Sequence, residues 1–222
     1  MARKSSTNKK TVVKGRPPRS KAAKPAQKKS AQRRKISAAE LRKIINAHEK
    51  WLDSDGKKGE QAQLHHANLQ GAKLFGANLQ GADLFEANLQ GAYLFRANLQ
   101  GANPDGATLQ GATLIGANLQ GANLFRAQLQ EANLDNAELQ GAYLGSANLQ
   151  RADLHRANLQ GADLREVKAV TASQIRQARN WQLAFYSDDF VKELGLPADH
   201  NETVKKKLAE MEKEKEKTAT KP

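Results

Sequence analysis

Alanine stands at every fifth residue from Ala62 to Ala162, without an exception. Leucine stands two residues after each, from Leu64 to Leu164, except at Pro104. A period of five fits neither the 3.6-residue turn of an α-helix nor the two-residue alternation of a strand. It requires a backbone whose direction resets every five residues. On an extended segment, residues two apart point the same way. Ala and Leu of each pentad therefore point inward, and the other three residues face outward or turn the chain. A narrow solenoid lined by alternating small and large side chains accommodates this pattern.

A second period overlies the first. Gln occupies every tenth position from Gln70 to Gln160. It reflects either an even number of pentads per coil or duplication of a ten-residue unit. Stacked Gln columns predict amide ladders on two faces. Pro104 takes an inward place and cannot donate a ladder hydrogen bond, so a bulge or kink is expected there.

The units Ala67-Asn-Leu-Gln-Gly71, Ala82-Asp-Leu-Phe-Glu86 and Ala152-Asp-Leu-His-Arg156 resemble the pentapeptide-repeat family, whose motif is Ala-(Asp/Asn)-Leu-x-x. The resemblance implies an all-β solenoid: a right-handed quadrilateral β-helix with four pentads per coil, here just over five coils. His48-Glu-Lys-Trp-Leu52 with Gly56, and Trp181 followed by Ala184-Phe-Tyr-Ser187, resemble segments bordering the repeats in bacterial members.

The rest of the chain divides around this block. Residues 1–36 hold 14 Lys or Arg and no Asp or Glu, against a net charge of +13 for the whole chain. They are almost empty of large apolar side chains and are expected to form a disordered basic tail. Residues 37–61 read as a capping helix and turn. Ser37-Ala-Ala-Glu40 has the form of a capping box, and Leu41, Ile44, Ile45, His48, Trp51 and Leu52 follow helical spacing. Residues 62–166 are the repeats. Residues 167–200 read as a C-terminal helical cap with a helix start at Thr171 and a second helix from Ser187 to Leu194, closed by Gly195. A further helix starting at Asp199 or Asn201 is expected to make residues 201–222 a charged helix or frayed tail. Helices at both ends would cover strand edges that a rod otherwise exposes.

Little in the sequence carries chemistry. There is no Cys, hence no disulfide framework or thiolate metal site. The five histidines, His48, His65, His66, His155 and His200, lack metal-ligand spacing. Asp53-Ser-Asp-Gly56 matches the opening of a calcium loop, but the twelfth position is Leu64 rather than Glu. No phosphate loop, nucleophile elbow or dinucleotide fingerprint occurs. No enzyme activity, cofactor, metal or small-molecule substrate is expected. Without a long apolar run or signal-type segment, a cytoplasmic protein with no membrane span is expected.

Two features point to partners. With twenty residues per coil, Phe75, Phe95 and Ile115 stack into one outward ridge, and Phe85 and Phe125 align on the opposite face with Asp105 between them. Exposed apolar ridges mark contact sites, for a protein partner or for self-association. The second feature is the tail, whose Lys9, Lys10, Lys14, Arg16, Arg19, Lys21, Lys24, Lys28, Lys29, Arg33, Arg34 and Lys35 suit phosphate binding through counterion release. Lys14-Gly-Arg-Pro17 is similar to the core of an AT-hook, a minor-groove element. The expected function is a non-enzymatic scaffold for protein–protein interaction, tethered to nucleic acid by the tail. The alternative follows from the resemblance: some family members mimic DNA and bind type II topoisomerases such as gyrase. Residues 62–166 carry nine acidic and six basic side chains, a weak field for competition with DNA.

Overall fold

Each pentad ends in a turn, and the turns wind the chain into a solenoid. In a computed structural model, the structure describes residues 33–219. The pentad Ala92–Arg96 illustrates the bonding. Leu94 N–H donates to Thr113 O at 2.8 Å and Arg96 N–H to Ile115 O at 2.9 Å, both on the next coil. Tyr93 N–H reaches back to Ala72 O at 2.9 Å, and the next Ala, Ala97, closes the turn with its N–H on Leu94 O at 3.0 Å. The fifth residue of every pentad, from His66 to Glu166, has φ between 51° and 69°. A positive φ at the third residue of a four-residue turn, and not at the second, makes the turn type II. Gly91 meets that demand without strain, whereas Arg96 meets it against the preference of an L side chain.

Parallel bridges join Gln63 to Asp83, Asn88 to Thr108, Thr108 to Gln128 and Asn148 to Lys168. The offset is twenty residues, so four pentads make one coil, and the Gln period is half a coil. Every repeat Leu is buried. So is every repeat Ala except Ala72 and Ala77 in the first coil, which are partly buried against the core.

The Gln ladders expected from the sequence are a correction. Among the described residues one pair of this Gln column, Gln70 to Gln90, is bonded from coil to coil, at 3.5 Å. The ladder belongs instead to the second pentad position. Asn88 Nδ2 donates to Asn68 Oδ1 at 3.1 Å, Asn98 to Asn78 at 3.1 Å and Asn123 to Asn103 at 2.9 Å. This position sits on the paired strand, where a short amide spans the ~4.8 Å between coils. The fourth position, where Gln stands, lies on the turn. The same Asn oxygens accept the backbone N–H of that fourth residue, as Asn88 Oδ1 does from Gln90 at 3.2 Å. This Asx bond takes the one pentad donor that the ladder and turn leave over.

Pro104 is buried in line with the leucines, and the expected bulge or kink is absent. Asn123 N–H bonds Ala102 O at 2.9 Å and Gly106 N–H bonds Phe125 O at 2.8 Å, so the register passes through unchanged. The rung between Asn103 and Asn123 is absent from the series of bridges, because Pro104 has no N–H to give.

At the N-terminal end, β1 (Arg34–Lys35) pairs parallel with β2 (Ala67–Asn68). The boundary expected at residue 36 therefore moves forward, since these residues already belong to the rod. The rest of the expected tail, residues 1–32, lies outside the described residues. Helix α1 (Ala38–Asp53) is capped by Ser37, whose Oγ accepts Glu40 N–H at 3.1 Å. The second half of the expected capping box is replaced: Glu40 takes the Arg34 guanidinium instead. His48 is fully buried at the first coil, and its Nδ1 accepts Ala62 N–H at 3.1 Å. Burial pushes its pKa down, against the opposing pull of the Gln80 carbonyl and Glu49.

At the other end, helix α2 (Ala172–Arg176) starts from a complete capping box between Thr171 and Gln174. Gln174 Nε2 also donates to Leu149 O at 3.2 Å and Ala152 O at 2.9 Å, two carbonyls of the last coil. Arg179 and Phe185 add bridges to Asn158 and Asp163. A 3₁₀ turn (Trp181–Leu183) and helix α3 (Asp188–Glu193) follow, and Gly195 takes φ 69° as expected. Helix α4 (His200–Ala219) is continuous across the boundary expected at residue 200. It is held by Asn201, whose side chain bonds both Tyr186 O at 2.8 Å and Tyr186 N–H at 3.1 Å.

Pro104→Leu should stabilise the rod. A regained ladder bond contributes about 1 kcal/mol and added apolar volume about 0.8 kcal/mol. Lost proline rigidity offsets about 0.4–1 kcal/mol, leaving a net gain of roughly 1 kcal/mol. Circular dichroism should record a higher melting temperature; an equal or lower one contradicts the idea that this rung is weak.

Candidate interaction surface

Twenty-residue coils stack corresponding pentads into four faces. On one of them lie Phe75, Phe95 and Ile115, the expected ridge. Phe75 is 57% exposed and Phe95 37%. Ile115 is half-buried. Tyr93, two residues before Phe95, is 44% exposed and stacks on Phe75 with ring centroids 5.5 Å apart. Sequence reasoning missed it because only fourth pentad positions were stacked. Second positions share the face, and reading both columns would have found it. Arg96 lies over the Phe95 ring at 5.0 Å, within cation–π reach.

The opposite ridge is committed within the molecule. Phe85 and Phe125 are half-buried. His66 stands edge-on to Phe85 at 5.5 Å. Phe125 stacks on Tyr143 at 5.4 Å with 9° between the planes. Arg126 covers Phe125 at 5.0 Å and donates to Asp105 Oδ1 at 2.9 Å. The two expected ridges are thus unlike, and only the first is open.

Several of the remaining charged side chains have partners within the rod. His65 Nδ1 lies 3.3 Å from Asp83, and His66 Nδ1 3.5 Å from Glu86. Glu138 accepts from Arg179 at 2.8 Å, Gln140 at 2.6 Å and Asn158 at 3.1 Å. Burial pushes this carboxyl up, but those three donors outweigh it and hold the pKa below its ordinary value. Among the described residues, no group of three or more His, Asp or Glu could hold a metal.

Of the expected nucleic-acid contacts, Lys9, Lys10, Lys14, Arg16, Arg19, Lys21, Lys24, Lys28 and Lys29 lie outside the described residues. Arg33 and Lys35 are exposed where the chain enters the rod, with Arg33 Nη2 donating to Thr108 Oγ1 at 3.4 Å. Arg34 is spent on Glu40.

A family model for pentapeptide repeats matches in 8 copies, over residues 62–101, 87–124, 105–141 and 127–166. Residues 62–166 belong to the pentapeptide-repeat family. Their solenoid is the right-handed β-helix that this membership implies. Among solved pentapeptide-repeat structures, HetL from Nostoc, a protein involved in heterocyst differentiation regulation, is 36% identical. That match covers 56% of this chain and 63% of HetL, with a TM-score of 0.44. Rfr23 from Cyanothece is 34% identical over 53% of this chain and 66% of its own, with a TM-score of 0.39. This pentapeptide-repeat protein therefore spans slightly less than two thirds of either relative. QnrB1, a plasmid-mediated fluoroquinolone resistance protein, is 15% identical over 62% of this chain and 72% of its own, with a TM-score of 0.46. No curated protein matches the chain.

The two ridges should respond differently to truncation. Phe125→Ala removes a half-buried stacked ring and should cost about 2 kcal/mol. Phe75→Ala should stay within about 0.5 kcal/mol of the native stability. Urea unfolding of the two variants measures this, and equal losses would contradict the assignment of Phe75 to an open surface.

Proposed function

We propose that this pentapeptide-repeat protein is a non-enzymatic interaction scaffold. Its rod has just over five coils and is about 25 Å long at ~4.8 Å per coil, closed at each end by helices. The aromatic face holds a macromolecular partner, and the basic N-terminal segment binds nucleic acid. The observation carrying this reading is that, among the described residues, the large hydrophobic side chains left exposed, Phe75, Tyr93 and Phe95, all share one face. The Gln174 side chain on the last coil's carbonyls and the His48 ring on the first support the capping role.

Duplex mimicry is the weaker reading. Asp105, Asp163, Glu138 and Glu131 are each paired with an arginine: Arg126, Arg165, Arg179 and Arg151. These pairs interrupt any acidic stripe that could stand in for phosphates, so a gyrase supercoiling assay should show no inhibition. Among the described residues no helix is long and apolar enough to cross a membrane.

The tail is tested by comparing the full chain with a variant lacking residues 1–32 for binding to duplex DNA across salt. Every phosphate that the truncated chain no longer neutralises should reduce the slope of log K against log salt by about 0.9. The full chain should bind tightly at low salt with a steep slope, and the truncated chain weakly. Equal binding by both would remove the tail from the function.

A further inference from the structure

The aromatic face differs along its length. On the first three coils its outward second and fourth positions are Lys73, Phe75, Tyr93, Phe95, Thr113 and Ile115. The charged side chains there and at the adjoining corner are Lys73 and Arg96, both basic. Acids enter the face only with Asp135 and Asp153, on the fourth and fifth coils. The corners change at the same place. A Cβ on Gly71, Gly76, Gly91 or Gly111 would meet nothing within 4 Å, and one on Gly116 would meet Arg96 at 3.5 Å, so apart from Arg96 the aromatic rings stand above a bare rim. The corresponding corners of the fourth and fifth coils carry Glu131, Asn136, Arg151 and Arg156, all exposed.

This platform is small. From Phe75 to Ile115 is two coil steps, about 10 Å. With side chains the patch covers on the order of 200–300 Å², against about 800 Å² per partner in a stable protein–protein interface. A second copy docked on it alone would be weakly held. A few nucleotides need no more than this area. Exposed rings on a flat β surface flanked by Lys and Arg form a base-stacking platform, and an arginine plane is itself a stacking surface.

We propose that the first three coils of this face bind single-stranded nucleic acid. Phe75, Tyr93 and Phe95 stack on bases, and Lys73 and Arg96 contact the backbone. The inference rests on the reading of this face as the partner surface and names the partner's class. Bases in a duplex are stacked on each other and do not reach such a surface, so the face selects single strands even though the tail's charge does not.

Fluorescence anisotropy with the full chain tests it, using labelled oligo(dT) and oligo(U) of about twelve nucleotides and a duplex of equal length. Phe75→Ala/Phe95→Ala should weaken single-strand binding about tenfold or more, leaving its salt slope and duplex binding unchanged. Lys73→Gln/Arg96→Gln should lower the single-strand slope by about 1.4. Phe75→Trp should retain affinity, with its added emission quenched by the single strand. Unchanged single-strand affinity in the double Phe variant, or an equal loss on duplex, overturns the proposal. Sedimentation separates that failure from failure of the broader reading. If the Phe variant binds single strands normally but loses self-association, the face is a contact between copies and the nucleic-acid proposal is wrong. If it changes neither, the nucleic-acid proposal is wrong and so is self-association through this face, which is left to a different protein partner.

Discussion

A left-handed residue at every fifth position is the constraint on which the structure depends. With φ near 60° at residues such as Arg96 and Gly91, the chain turns a corner after each Leu and brings the next Ala to the interior. The turn would fail if it stranded backbone donors, because an unpaired buried N–H costs about as much as a lost hydrogen bond. The pentad avoids this. Ladder bonds use three of its five N–H groups, the turn uses one, and the Asn or Asp oxygen at the second position takes the last. That last bond explains why Asn and Asp recur there, at Asn88, Asn118 and Asp153, each accepting from the residue two further on.

From the turn follows the division between inside and outside. Two inward positions per pentad leave room for one small and one large side chain, and Ala112 and Leu114 are both fully buried. The interior is then uniform along the rod and carries no information about partners. Each end must be covered by something other than another coil. His48 and Gln174 do this with side chains that bond the exposed backbone of the first and last coils. A buried neutral imidazole suits the place: its Nδ1 takes the Ala62 N–H, which has no preceding pentad's Leu carbonyl to close a turn on.

How much of this was legible followed from the range of the interaction concerned. The Ala and Leu columns depend on local geometry alone, and they predicted the solenoid and its inward residues correctly. The α2 start was equally local: Thr171 and Gln174 sit within one turn. Contacts between coils were harder. Gln repeats more strictly than Asn, so the sequence favoured Gln ladders. Side-chain length decided otherwise, because the short amide on the strand is in register with its neighbour twenty residues on. Tyr93 and Tyr143 were overlooked for the same reason: each meets a Phe eighteen residues away. Arg34 and Lys35 looked like tail by composition, but the open edge at Ala67 and Asn68 pairs with backbone regardless of side chain. Pro104 looked like a defect, yet one missing rung among many does not break a register that its neighbours hold on both sides.

The function therefore rests on outward positions, and the fold on inward ones. Equilibrium unfolding of two neighbouring substitutions, Ala112→Leu and Thr113→Leu, separates them most directly. The account predicts that Ala112→Leu overpacks the interior and lowers the urea midpoint, a loss of about 1–3 kcal/mol. Thr113→Leu, one residue away and facing outward, should change stability by less than about 0.5 kcal/mol. Equal effects of the two substitutions would contradict the claim that the inward Ala column sets the architecture.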